Sequence, residues 1–559
     1  ALVPFVGRTP DALQAVAEAG ARVARAGEAL AGGLGALPGG PAALGPVEGR
    51  LPIEAYERLA GSVAAAEGSL GEALAALRPA PTSLLPASVL RARLAAQAMV
   101  EELHDLLGTA GGLLRELPAF LGADRPRRYF FGAENPAELR GTGGLVGAYA
   151  ILEVRDGRPT FSRFRPIQSL PLLDRHDVPG PTDDYVRNYD RFRDGNGFWL
   201  NINMTPDFPT AARAILTAYE AATGEPLDGV VTTDPVALAS IVEATGPVRV
   251  PRLGVELDAE ELVPFLTVEA RALFEEGARR KAVLGEVSAA VLDRFLRDRP
   301  SLEGLAGVMR TASAGHLRVF SADPAVEALL ERTTVGGTLP VTDGDFVGFV
   351  QNNAGANKLD LYQRTTLSYD VTLGDGGTAS GVLAVSLENR APRDAVAPSR
   401  AEGLAPLENA ALVQLYCARG CLPRSFVQDA RRLDLRGGVE RGYPFLRTFV
   451  RIPRGDTLRL AASFELSEAW DGDGSGGTYR LTVLTPPTIE PVRVSIAIRL
   501  PPGMGLRWSD PALEREGDAL RYEGTPGRRL DIAVRFEPPL PVRLWRDLLE
   551  VLSTPVLPL

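Results

Sequence analysis

Three arginines and two carboxylates in the middle of the chain are the residue types that bind and move charged groups. Arg140, Arg163 and Arg165 are candidate anion clamps, because a planar guanidinium offers phosphate oxygens two parallel donors. Glu138 and Asp207 could hold a divalent metal or act as a base, and Asn203 is a further candidate ligand four residues before Asp207. Gly141, Gly143 and Gly144 could let backbone N–H groups approach an anion. The same residues have a structural reading. Glu138 and Arg140 could pair with other charges or cap a turn, and Thr142-Gly143-Gly144 could be a tight turn needing positive φ. Asn203 and Asp207 could hold the loop before a helix opened by Pro209, with Asp207 near its N-terminus. Both readings stand at this point.

Other chemistries have weaker support. The sequence holds no Ser-centred nucleophile elbow, no P-loop, no His-Glu-x-x-His motif and no dinucleotide fingerprint after a strand. Its 3 histidines, His104, His176 and His316, leave little room for imidazole acid–base chemistry. Cys417 and Cys421, in Cys-Ala-Arg-Gly-Cys, could close a small disulfide loop, which fits an oxidising compartment. Free thiols are the alternative. A metal site would need two more ligands that the sequence does not place nearby, so no metal site is assigned. The net charge of −10 argues against nucleic acid as partner, since neutralising phosphates needs a basic surface. All but Lys281 and Lys358 of the 60 basic residues are arginine, a bias that fits a G- and C-rich genome.

The elements that must position these residues fall into several domains, because 559 residues exceed a single hydrophobic core. The fold class expected is multidomain α+β. Residues 1–123 read as a helical hairpin, bundle or stalk, with helices starting at Thr9-Pro10-Asp11 and spanning about 52–78 and 87–118. Residues 124–358 alternate strands and helices as an α/β layered domain, with a short aromatic strand at Tyr129–Phe131, a buried strand at 144–154 and a return to the sheet at Phe346–Val350. Residues 359–485 read as an immunoglobulin-like β-sandwich, and 486–559 as a β-rich module with an apolar C-terminal tail. Asp471–Gly477 lacks the terminal glutamate of a calcium loop and reads as a mobile loop. No stretch of about 18 apolar residues suggests a membrane span, and the chain starts at Ala1, so a trimmed product with its anchor elsewhere is expected.

Four phrases carry a family resemblance. Asn135-Pro-Ala-Glu-Leu-Arg-Gly-Thr-Gly-Gly144, Asn203-Met-Thr-Pro-Asp-Phe-Pro209, Asp228-Gly-Val-Val-Thr-Thr-Asp-Pro235 with Thr245-Gly-Pro-Val248, and Asn352-Asn-Ala-Gly-Ala-Asn-Lys358 occur in this order. They resemble the signatures of the domain-of-unknown-function family numbered 4012, over about residues 127–400. Members look like bacterial envelope proteins, often membrane-anchored. The rhythm of Ala211–Val250 is also distantly similar to the LytR-CpsA-Psr phosphotransferases. That resemblance implies binding or transfer of a polyprenyl-pyrophosphate-linked glycopolymer, with Mg as cofactor and Arg140, Arg163 and Arg165 on the phosphates. Here, however, Arg163 and Arg165 stand in Phe161-Ser-Arg-Phe-Arg165, a different context. The expectation is an extracytoplasmic protein, at the cell surface or membrane-anchored, with a structural, assembly or surface-binding role. Its partners would be an envelope glycan, a lipid-linked glycan or further copies of itself, and glycopolymer transfer is the alternative.

Overall fold

The computed structural model describes residues 8–79, 85–250, 254–269, 277–298, 300–397, 399, 401–473 and 476–539; the apolar tail expected at the C-terminus lies outside the described residues. The fold is mixed α+β, with helices first and a strand-rich region last. Three helices, Arg8–Gly35, Ile53–Leu77 and Ala87–Phe120, lead the chain. Their shared core is built largely from alanines (Ala15, Ala19, Ala26, Ala66, Ala73) with Leu70, Leu74 and Leu77. Small side chains let the helix axes approach, and leucines fill what remains. No helix among the described residues is long and apolar enough to cross a membrane.

The base of this bundle is joined to the next layer. Ile53 and Leu121 pack with Tyr129, Phe131, Ala150 and Val154 on one face of a six-stranded mixed sheet. That sheet runs Arg158–Phe161, Gly143–Arg155, Arg127–Arg140, Gly229–Thr233, Leu317–Ser321, with Arg165–Pro166 also on Gly143–Arg155. Only Arg127–Arg140 and Gly229–Thr233 are parallel. The helix Phe208–Thr223 covers the opposite face, burying Ala212, Ile215 and Tyr219 against Phe130, Tyr149 and Val230. Asp207 caps this helix and Pro209 occupies its first turn, as the sequence indicates. The aromatic strand is longer than expected: Glu134–Arg140 continues it, with register shifts after Ala133 and Asn135. Such irregularities let an extra residue leave the ladder and re-aim its neighbours.

The strand-rich region consists of two eight-stranded sheets around one apolar core. Strands on either side of residue 485 share both sheets: Gln363–Leu373 pairs in parallel with Arg493–Arg499, and Gly476–Leu484 pairs antiparallel with Arg529–Glu537. Gln363–Leu373 alternates buried and less buried positions, the period-two pattern of a strand covered on one side.

Two expectations need correction. Phe346–Val350 does not return to the α/β sheet. It belongs to Asp345–Asn353, which pairs with Asn409–Cys417 in the strand-rich region. An apolar run suits either sheet, and the side chains that follow it, Gln351 to Asn353, bond to partners on that side. The two ends of Asp471–Gly477 are not free either: Trp470–Asp473 pairs antiparallel with the start of Gly476–Leu484, while residues 474 and 475 lie outside the described residues.

Candidate functional site: a buried polar joint

The α/β sheet and the strand-rich region meet where the first, second and fourth sequence phrases converge. The first phrase forms a hairpin, with Arg140 opposite Gly143 across a two-residue turn. The turn sits so tightly that a Cβ on Gly141 would lie 2.1 Å from the Met204 carbonyl oxygen, and one on Gly144 2.3 Å from the backbone of Asn135. Glycine is required there by close approach of backbone to backbone.

Glu134, at the base of this hairpin, is buried, and sequence reading passed it over. Its Oε1 accepts from Thr142 Oγ1 (2.9 Å) and Asn203 Nδ2 (3.3 Å), and its Oε2 from the Gly144 amide (3.3 Å). Burial pushes its carboxyl up, opposed by the nearby Arg318. Asn203 also donates to the Gly144 carbonyl at 2.8 Å, so it closes the hairpin from the side.

Arg140 is buried, with its Nε and Nη1 committed to backbone. Its Nε donates to Leu200 O (3.0 Å) and its Nη1 to Leu139 O (2.8 Å) and Asn353 O (3.2 Å), the last across the joint. Glu138, partly exposed, lies near enough to act on Arg140 electrostatically. Asp207 has no exposed surface, and both its oxygens are taken. Oδ2 accepts from Thr210 N and Oγ1, Oδ1 from Leu339 N at 2.8 Å, and the Arg441 guanidinium pairs with the carboxylate at 3.2 Å. These partners do not fit Asp207 as a ligand for the magnesium implied by the phosphotransferase resemblance, because both its oxygens are already held by protein donors.

Arg163 and Arg165 stand apart. Both are exposed, and among the described residues neither shares a hydrogen bond or ion pair with Arg140, Asn203 or Asp207. Thus the structure brings Arg140, Asn203 and Asp207 together in the joint and leaves Arg163 and Arg165 on the surface.

The last phrase supplies the other side. Asn352 Oδ1 accepts from the Gly141 amide (3.1 Å), and its Nδ2 donates to Met204 O (3.2 Å). Asp360, two residues beyond Lys358, accepts from the Leu139 amide and Asn353 Nδ2 at 2.8 Å each, and from Gln351 Nε2 and Asn409 Nδ2. Burial pushes its carboxyl up against these four donors. Lys358 donates to Thr267 O at 2.8 Å. The third phrase contributes Asp234, which caps the helix Pro235–Thr245 and meets His316 Nδ1 at 2.6 Å, both residues buried.

A second buried carboxyl joins the halves at Glu440. It accepts from Thr205 Oγ1 of the α/β half, and from Tyr189 Oη and Tyr416 Oη at 2.7 Å each. Burial pushes it up to about 7. Among the described residues, no cation pairs with it: the adjacent Arg441 pairs with Asp207. Cys417 and Cys421 are joined as a disulfide at the end of Asn409–Cys417. Sequence reading missed Glu134, Arg318, Asp360, Glu440, Arg441 and Arg528. Only Glu134 and Asp360 lie beside a quoted phrase, so only they carried a local signal.

Residues 124–270 match the model of a family described as "Protein of unknown function (DUF4012)", which supports the resemblance over the first three phrases; Asn352–Lys358 lies outside the matched residues. No curated protein matches. Among solved structures, an M1 zinc metallopeptidase mutant from Deinococcus radiodurans is 11% identical with a TM-score of 0.19, over 32% of this chain and 42% of that one. A putative nutrient binding protein from Legionella pneumophila is 8% identical with a TM-score of 0.23, over 38% of this chain and 76% of that one. The chain thus spans less than half of the metallopeptidase. At such scores neither likeness bears on fold or function.

Proposed function

We propose that this protein is an extracytoplasmic cell-envelope component with a structural, assembly or surface-binding role, in which an α/β domain serves as a rigid platform for immunoglobulin-like strand-rich modules. One observation carries the reading. The Arg140 guanidinium, the leading candidate for a phosphate clamp, is buried and donates to three backbone carbonyls, of Leu139, Leu200 and Asn353. An arginine held this way fixes the path of two chain segments and has its Nε and Nη1 committed to backbone rather than to a ligand. The disposition of Asp207, with protein donors on both oxygens, supports the same reading. The Cys417–Cys421 disulfide fits an oxidising compartment.

The test is native mass spectrometry of the protein purified from its own host, with lipid extraction of the same sample. The proposal expects an apo mass or a ladder of self-assembled species. A co-purifying polyprenyl phosphate or pyrophosphate, lost in Arg140→Ala while the fold persists, would replace it with glycopolymer transfer.

A further inference from the structure

Arg318 and Arg528 are two neighbouring buried cations, and Arg318 keeps donors without an acceptor. Arg318 is 1% exposed and Arg528 4%. They lie side by side: a Cβ on Gly315 would stand 3.0 Å from Arg318 Nη2 and 3.0 Å from Arg528 Cδ. Nε and Nη2 of Arg318 have no hydrogen-bond acceptor among the described residues. Its Nη1 faces Glu134 Oε2 at 3.7 Å, too long for a hydrogen bond. Arg528 Nη2 donates to Pro206 O at 2.7 Å.

The carboxylates within electrostatic reach are already committed. Glu134 accepts from Thr142, Asn203 and Gly144. Asp234 is bound to His316 and its helix cap, and Asp207 to Thr210, Leu339 and Arg441. Formal charges here balance only with Glu134 ionised, and burial opposes that ionisation. Burial and the neighbouring Arg318 together work against the charge on Arg528. Buried cations with unmet donors are costly unless an acceptor is supplied.

We propose that Arg318 and Arg528 together bind one small inorganic anion of halide size, enclosed where the α/β sheet meets the strand-rich region. Close packing around Arg318 favours a small ion. Gly143, Gly315 and Gly337, with φ of +149°, +95° and +63°, press on the Arg318 side chain, and Pro487 closes in beside Gly143 and Gly315. A phosphate tethered to a longer molecule would have to leave through packed side chains, which points to a free ion. The ion would supply the acceptor for Nε and Nη2 and offset the repulsion between the two guanidinium groups.

The test is anomalous diffraction from crystals of the full chain soaked in sodium bromide, paired with thermal unfolding in bromide against gluconate at equal ionic strength. The site predicts an anomalous peak within hydrogen-bonding reach of Arg318 Nε or Nη2. Salts also act generically on stability, so the solution readout is the difference between wild type and Arg528→Met. Wild type gains melting temperature in bromide relative to the variant. Non-anomalous density hydrogen-bonded as an ordered water at Arg318, or identical salt responses of wild type and a folded Arg528→Met, would overturn the proposal. If Arg528→Met does not fold, the diffraction result alone decides.

Discussion

Arg441, in the strand-rich half, reaches across the joint to the fully buried Asp207 of the α/β half, Nη1 to Oδ1 at 3.2 Å. Asp207 also caps a helix and receives the Leu339 amide. Removing the carboxylate therefore strands donors on three segments at once. We predict that Asp207→Ala costs about 3–5 kcal/mol of unfolding free energy. Asp207→Asn, which keeps a capping acceptor, costs less. Arg441 is more exposed and leaves Asp207 its other donors, so Arg441→Ala costs about 1–2 kcal/mol. Denaturant titration of the three variants checks the order.

Arg140 separates a structural role from a ligand-binding one. Arg140→Ala leaves three carbonyls without their donor and is predicted to lose about 2–4 kcal/mol. Arg163→Ala and Arg165→Ala, both exposed, stay within about 0.5 kcal/mol of wild type. Equal effects at all three sites, read by thermal unfolding, would contradict the placement of Arg140.

Glu440 should make stability depend on pH. Its folded value, about 7, lies above the ordinary 4.5. The protonated side chain is favoured in the folded state, so this contribution is fully present below about pH 4.5 and is lost as pH rises through about 7. Between those limits one extra bound proton lowers unfolding free energy by about 1.4 kcal/mol per pH unit. Glu327, also pushed up to about 7 by burial, acts with the same sign. Glu440→Gln is predicted to remove one proton's share of the slope between pH 5 and 7, and an unchanged slope would count against the buried, cation-free placement of Glu440.

The Cys417–Cys421 bridge closes a short loop, so its entropic contribution is modest, about 2 kcal/mol. Unfolding without reductant followed by alkylation should add no adduct, since no free cysteine is present. With reductant, two adducts should appear and the unfolding midpoint should fall.

What the sequence revealed of this site follows from how local each signal was. Asp207 was legible because a cap and a following Pro209 sit within three residues, and the structure shows that cap. Cys417 and Cys421 were legible for the same reason. The partners that decide what Arg140 does were not. Leu200 lies 60 residues away and Asn353 213, and no local pattern encodes such a meeting. Glu440 and Arg441 look like ordinary surface charges beside a turn until Thr205 and Asp207 arrive from 235 and 234 residues upstream. Phe346–Val350 pairs with Asn409–Cys417 and not with the α/β sheet, because an apolar run specifies burial and not the neighbour that provides it.

The first, second and fourth phrases build a permanent joint between the α/β sheet and the strand-rich region. The Leu139 and Gly141 amides report on it directly, because they donate across the joint to Asp360 Oδ2 and Asn352 Oδ1. Native-state hydrogen exchange of these two amides is the most direct measurement. A permanent joint gives these amides protection equal to that of the sheet cores, with exchange only on global unfolding and faster exchange at Leu139 in Asp360→Ala. Exchange of either amide while both cores stay protected would show that the joint opens on its own, and would contradict it.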